Sequence, residues 1–154
     1  MIRKRVTLFG SALREISEGA TSSATFSTAV PMLIKDSSPG QNEVEAAGIR
    51  LLLGVTSRTT NNGAPLNLNI FLEELNSDGV WRGVTGSTFT PVVTATVFES
   101  LDIHPFIASL SEGTVAPIRR SFLLPGRIRA VAKLQGSITA TPGMTFFLEA
   151  ELFS

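Results

Sequence analysis

Apolar and polar residues alternate along most of this chain with a period of two. Between positions 66 and 72, for example, leucine and isoleucine occupy every second position, and Asn67, Asn69 and Phe71 lie between them. Residues two apart on a β-strand share a face, so this pattern predicts strands that place one face on a core. Comparable apolar series occur at 2–8, 26–34, 49–55, 66–72, 93–97, 118–124, 128–134 and 146–152.

Clusters of turn-forming residues separate these series. The clearest is Asn76-Ser77-Asp78-Gly79, and similar clusters lie at 36–40, 61–63, 125–126 and 142–143. About eight short strands joined by such turns predict an all-β fold, an antiparallel β-sandwich of jelly-roll-like type. At most one short helix is expected, at residues 12–18.

The length of 154 residues corresponds to a single domain. We assign the β-sandwich to residues 21–154. Residues 1–20 are expected to form an N-terminal arm, or a first strand that packs on a neighbouring subunit.

Charges in the last two predicted strands suggest a register. If these strands pair antiparallel with each other, Arg129 lies opposite Glu149 and Arg127 opposite Glu151, while the apolar series faces inward. Opposite charges directly across two strands stabilise the pair by roughly 0.2–1 kcal/mol. The sequence therefore predicts that these two strands are neighbours.

Composition narrows the chemistry that the chain can perform. It has no cysteine and one histidine, and its 13 basic residues balance its 13 acidic ones. It thus lacks a thiol nucleophile and the positive field that favours nucleic-acid binding, and no apolar run is long enough to span a membrane. We expect no enzyme activity, no cofactor, no direct contact with nucleic acid or membrane, and no metal, with a calcium site at loop 76–78 as the minor alternative.

His104 is the residue that any histidine-dependent mechanism would have to use. Asp102 precedes it by two positions, so both side chains would project side by side from one strand. That is a poor arrangement for an acid that orients a base. A glycosidase needs two carboxyl groups that face each other across a cleft, whereas the acidic pairs lie close together in the sequence, at Glu43/Glu45, Glu73/Glu74 and Glu149/Glu151.

Arginine clusters are the first candidates for an interface with other proteins. Arg3 and Arg5 form one cluster, and Arg119 and Arg120 belong to another. Nucleic-acid binding would need aromatic residues interleaved with these charges for base stacking. Charge complementarity with a protein partner is the better interpretation.

Aromatic residues are the second candidates. Phe9, Phe71 and Phe153 fall on the face opposite the main apolar series of their strands, and Trp81 follows a turn. Exposed aromatic residues on a weakly charged chain suggest surfaces that other subunits cover. The alternative is that loops of the same chain cover them.

Two regions of the sequence resemble a known family. Residues 69–84 read Asn-Ile-Phe-Leu-Glu-Glu-Leu-Asn-Ser-Asp-Gly-Val-Trp-Arg-Gly-Val: a strand ends in acidic residues, an Asp-Gly turn follows, and an aromatic residue opens the next strand. Residues 126–136 and 145–152 resemble the closing strand pair of the same proteins. These proteins are the capsid decoration, or cement, proteins of tailed bacteriophages, which are jelly-roll-like sandwiches.

The resemblance implies a mechanical role in a virion. A decoration protein is made in the host cytoplasm, sits on the capsid surface, and bridges and stabilises the major capsid subunits. Its partners would be the major capsid protein and itself, as a homotrimer, and residues 1–11 could form an arm over a neighbour, with a hinge at 19–23. The alternatives are a tail or baseplate component, including a receptor-binding β module, and, less favoured, a carbohydrate-binding module.

Overall fold

β-Strands make up most of the computed structural model of this chain, which describes residues 3–17, 23–35, 43–59, 66–93, 96–105, 118–120, 127–136 and 141–154. No helix occurs in these residues. In chain order the strands are β1 (Arg3–Glu15), β2 (Ser23–Val30), β3 (Leu33–Lys35), β4 (Glu43–Glu45), β5 (Gly48–Thr59), β6 (Leu66–Leu75), β7 (Trp81–Gly83), β8 (Val97–Ile103), β9 (Ile118–Arg120), β10 (Ile128–Gly136) and β11 (Gly143–Phe153).

The strands form two large sheets that pack face to face. One sheet has the order β1-β11-β5-β8-β9, the other has the order β2-β10-β6-β7, and β3 pairs with β4 separately. The antiparallel pairs β1–β11, β2–β10, β5–β8 and β6–β7 are nested, each enclosing the next in sequence. This nesting is the connectivity of a jelly roll, so the predicted all-β sandwich is confirmed.

Aliphatic and phenylalanine side chains from both sheets fill the space between them. The alternating series predicted for β5, β6, β10 and β11 all point inward. Burying one such side chain contributes about 1.5–3 kcal/mol. The fully buried members of these series are Ile49, Leu51, Val55, Leu66, Leu68, Ile70, Leu72, Ala130, Ala132, Leu134, Phe146, Leu148, Ala150 and Leu152.

The hairpin at the end of β6 follows the predicted turn. Gly79 has a φ of +78°, which glycine adopts at little cost. The Asp78 carboxylate accepts hydrogen bonds from the Val80 backbone at 3.0 Å and from Arg82 at 2.9 Å. Leu75 consequently pairs with Trp81, and β7 returns beside β6.

Two predicted strands are interrupted. The series 26–34 is split after Val30, where Pro31 and Met32 separate β2 from β3. The strand predicted at 93–97 is wrong. Val92 forms an isolated antiparallel β-bridge with Leu68 in one sheet, and β8 begins at Val97 in the other sheet. The chain therefore crosses between the sheets where the pattern suggested a continuous strand.

The first strand differs from its prediction in two ways. The short helix expected at residues 12–18 is wrong for Ala12–Glu15, which continue β1 and pair with β11. The prediction that Phe9 faces outward is also wrong. The pairing register shifts between Thr7 and Phe9, so Leu8 and Phe9 are both buried, and the Phe9 ring packs edge-on against Phe146 at 6.0 Å.

The predicted pairing of the last two strands is wrong. β10 lies between β2 and β6, whereas β11 lies in the other sheet between β1 and β5. Arg129 therefore faces Glu73, with Nε 2.7 Å from the Glu73 carboxylate, and not Glu149. Glu151 lies opposite Arg5 and Arg50 instead of Arg127.

Several predictions fall outside the described residues. These are the turns at 36–40, 61–63 and 125–126, most of the hinge at 19–23, and the end of the series 118–124. Within the chain β1 pairs with β11. The packing of residues 1–20 on a neighbouring subunit stays a prediction.

The Arg129–Glu73 ion pair provides a test of this strand order. A double-mutant cycle with Arg129→Gln and Glu73→Gln should give a coupling of about 0.5–1 kcal/mol in urea unfolding, because both side chains are mostly buried. The matched cycle of Arg129→Gln with Glu149→Gln should give a coupling near zero. Equal coupling in the two cycles would contradict the placement of β10 and β11 in different sheets.

Candidate functional site

The outer surface of the five-stranded sheet carries an unusual set of aromatic side chains. Phe147 and Phe153 project outward from β11, and Phe98 and His104 project from β8 and from the position just after it. Leu52 of β5 lies between them. We call the surface formed by these five residues the aromatic face. It is the candidate functional site.

Two glycines of β5 make room for the aromatic rings. A Cβ atom on Gly54 would collide with the Phe147 ring, and one on Gly48 would collide with the Phe153 ring and lie 2.7 Å from the His104 ring. The Phe147 and Phe153 rings therefore occupy the space that a side chain at Gly54 or Gly48 would need. On the far side, Phe98 packs against Phe147 with a centroid distance of 6.3 Å, and His104 stacks on Phe153 at 5.3 Å.

An ionic ladder crosses the sheet between the two aromatic clusters. Arg50 donates two hydrogen bonds to Asp102, at 2.8 and 3.0 Å, and its guanidinium is also 3.9 Å from Glu151. Glu151 accepts a hydrogen bond from Arg3 at 3.4 Å. The charges alternate from β1 to β8, and the hydrogen bonds to Asp102 raise the pKa of Arg50. The ladder thus joins four strands in a fixed register.

Phe98 is the most exposed member of the aromatic face. Its side chain is 66% exposed, whereas most large apolar side chains in the described residues are buried. A shallow depression of about 390 Å³ lies beside it, lined by Leu52, Phe147, Ser100 and, at the rim, Arg5 and Glu149. An apolar centre with a charged rim is the usual anatomy of a protein-binding surface.

The predicted interface residues do not form one surface. Phe153 belongs to the aromatic face, and Arg3 and Arg5 of β1 lie beside it at the edge of the same sheet. Phe9 is in the core. Arg119 and Arg120 belong to β9, which runs parallel to β8 at the edge of the same sheet.

Trp81 and Phe71 lie on the other sheet. The Arg129 guanidinium sits over the Trp81 ring at 4.4 Å and is held there by Glu73. This cation–π contact occupies a face of the indole ring. Phe71 is half-buried on β6, opposite Val131 of β10.

His104 and Asp102 each have a different partner from the one that a catalytic pair would need. Asp102 is 3% exposed and binds Arg50, while the His104 ring stacks on Phe153. Within the described ranges, no group of three or more histidine, aspartate or glutamate side chains could hold a metal ion. The same residues contain no helix that could cross a membrane.

Reading the sequence missed Phe98 and the role of the two glycines. Gly48 and Gly54 are six residues apart on β5, and so are Phe153 and Phe147 on the neighbouring β11. These two equal spacings could have indicated that each glycine lies beside a phenylalanine. Using them would have required the knowledge that β5 and β11 are neighbouring strands, although about 90 residues separate them in the sequence.

Comparison with known proteins adds nothing to these geometric observations. No family model matches the chain, and neither a curated protein nor a solved structure matches it.

Gly54→Ala should displace Phe147 from the aromatic face. The new methyl group occupies the position of the ring, so we expect a loss of about 1–3 kcal/mol in the free energy of unfolding. Adding Phe147→Ala should make the double variant lose less than the sum of the two single changes. Gly10→Ala is the matched control, because its Cβ would meet nothing within 4 Å. A neutral Gly54→Ala variant would contradict the packing described.

Glu99 should make stability depend on pH. It follows Phe98 on β8, burial raises its pKa above the usual 4.5, and its Oε2 atom has no hydrogen-bond partner among the described residues. The folded state therefore keeps the proton at a pH where the unfolded chain has lost it. The contribution of Glu99 to stability is therefore highest below about pH 4.5 and is lost as the pH rises through the raised folded-state pKa of this carboxyl group.

Glu99→Gln should remove this part of the pH dependence. Urea unfolding between pH 4 and 8 measures it, with Glu45→Gln, an exposed position on β4, as the control. If Glu99→Gln and the unmodified protein keep the same slope of stability against pH, the Glu99 carboxyl group is not the cause.

Proposed function

We propose that this chain is a non-enzymatic structural protein of a virion, a capsid decoration protein that binds the outer surface of the shell through the aromatic face. The observation that carries the proposal is Phe98, a large apolar side chain that is 66% exposed on a sheet fixed by an ionic ladder. Aromatic residues, phenylalanine among them, are enriched in the cores of protein–protein interfaces.

The charges around the aromatic face support a protein partner. Arg5 and Glu149 lie at the rim, and Arg3, Glu151, Arg50 and Asp102 alternate in sign across the sheet. A surface with balanced charge does not select a strongly charged polymer. It suits another folded surface of mixed charge, where the apolar centre contributes affinity and the rim contributes orientation.

The fold supports the proposal by analogy. Jelly rolls occur in viral capsid proteins and also in lectins and cupins, so the fold alone does not select among them. In this chain the interior is filled by aliphatic and phenylalanine side chains. Binding therefore takes place on an outer surface, as it does in a coat protein.

The first test measures copy number in purified particles from the source, by quantitative mass spectrometry against the major capsid protein. Hundreds of copies in a simple ratio to the shell subunit would support decoration. A copy number typical of a tail ring would support the tail or baseplate alternative instead. Absence from every particle would overturn the proposal.

The second test identifies the surface. Particles that lack the protein should bind the added protein and gain heat stability. Phe98→Ser should weaken this binding about tenfold or more, since truncating a hot-spot residue costs about 2 kcal/mol. Val80→Ser is the matched control, because Val80 is 49% exposed in the β6–β7 turn, away from the aromatic face. Equal binding of the two variants would exclude the aromatic face as the contact.

A further inference from the structure

The edges of the two large sheets are protected to very different degrees. An exposed strand edge offers unpaired backbone groups to other chains, and proteins block it with charges, proline, bulges or very short strands. β1 has Arg3, Lys4 and Arg5 and two shifts of register. β9 is three residues long, and two of them are arginine.

The edge beside β6 is blocked in a different way. β7 is only three residues long. Residues 84–92 follow β6 without forming a regular strand. The Phe89 backbone N–H donates a hydrogen bond to the Ile70 carbonyl, and the Val92 and Leu68 backbones exchange two hydrogen bonds. This segment includes Pro91. Three of the four edges therefore carry a recognisable protection.

β2 carries none of these protections. It is eight residues long, Ser-Ala-Thr-Phe-Ser-Thr-Ala-Val, with no charge and no proline. It pairs with β10 over its whole length without a shift of register. Among the described residues, β10 is its one strand partner.

The inward side chains of β2 are also incompletely covered. Ala24, Phe26 and Thr28 are half-buried, whereas the inward residues of the adjacent β10 are fully buried. The Arg14 guanidinium lies 5.9 Å from the Phe26 ring and covers part of it. Another strand beside β2 would complete the burial of this row.

We infer that β2 pairs antiparallel with β2 of a second copy of this chain, so that the two four-stranded sheets become one continuous sheet. A two-fold axis places each strand against its own copy, and any charged side chain near the axis would then face a like charge. The uncharged sequence of β2 meets this condition. At roughly 3.3 Å per residue, a ladder of seven residues from each copy is about 23 Å long.

The alternation of faces limits the register. Inward residues must oppose inward residues, so the pairing centres on a residue and not between two residues. Centring on Phe26 or on Ser27 keeps seven residues of each copy in the ladder. Thr25, Ser27 and Ala29, the exposed outward row, are small enough to pack closely in either register.

This pairing does not rest on the proposed function, because it is a property of the purified protein. It produces a dimer and is thus an alternative to the homotrimer that the family resemblance implies. Measurement of mass in solution separates the two without any particle.

The test compares dimerisation of two variants, one with a lysine on the edge strand β2 and one with a lysine on the edge strand β1. Sedimentation equilibrium should give the unmodified protein twice the chain mass of 16.4 kDa. Ser27→Lys places like charges beside the axis and should weaken dimerisation tenfold or more. Ser11→Lys is the matched control, because Ser11 is also an exposed serine of an edge strand, β1, and this variant should remain dimeric.

Two further readouts keep the result unambiguous. Thermal unfolding followed by circular dichroism should show that both lysine variants are folded, and hydrogen exchange in the unmodified protein should slow in β2 as concentration rises. A monomeric or trimeric unmodified protein, or a Ser27→Lys variant that dimerises as well as Ser11→Lys, would overturn the inference.

Discussion

The nested pairing of strands is the constraint on which the rest of this structure depends. β6 and β7 meet at the Asn76–Gly79 turn, β5 and β8 enclose them, and β10 and β11 then return beside β2 and β1. Each outer pair joins segments that are further apart in the sequence. A shift of one residue in any pair would exchange its buried and exposed faces. The register of each pair therefore decides which of its side chains reach the surface of the sheet.

The aromatic face is a direct product of this register. β5 lies between β11 and β8, so Gly54 falls between Phe147 and Phe98, and Gly48 falls between Phe153 and His104. The six-residue spacing separates the two aromatic clusters by about 20 Å along the strand. The row of charged residues that contains Arg50 lies between them and holds the three strands in line. The two glycines consequently fix where Phe147 and Phe153 lie, and Phe98 and His104 pack against these two rings.

Local patterns in the sequence predicted the strands well, but not their partners. Period two is a property of one strand, so the inward faces of β5, β6, β10 and β11 follow from the sequence alone. Charge complementarity is not specific enough to choose a partner: Glu73 and Glu149 both occupy outward positions, and Arg129 pairs with Glu73 because the chain crosses to the other sheet after β10. Phe9 could not be placed because a shift of register inside β1 reverses its face. The position of Trp81 under the Arg129 guanidinium also depends on the strand order, because β6 lies between β7 and β10.

The two surfaces singled out by the structure have different physical characters and point in different directions. The edge of β2 offers backbone groups and small neutral side chains in the plane of the four-stranded sheet. The aromatic face offers rings and balanced charges, and it lies on the outer side of the five-stranded sheet. Contacts along a sheet edge extend a layer sideways, whereas contacts on a sheet face attach that layer to something beneath it. Both kinds of contact can be made at the same time, because the edge of β2 and the aromatic face lie on different sheets.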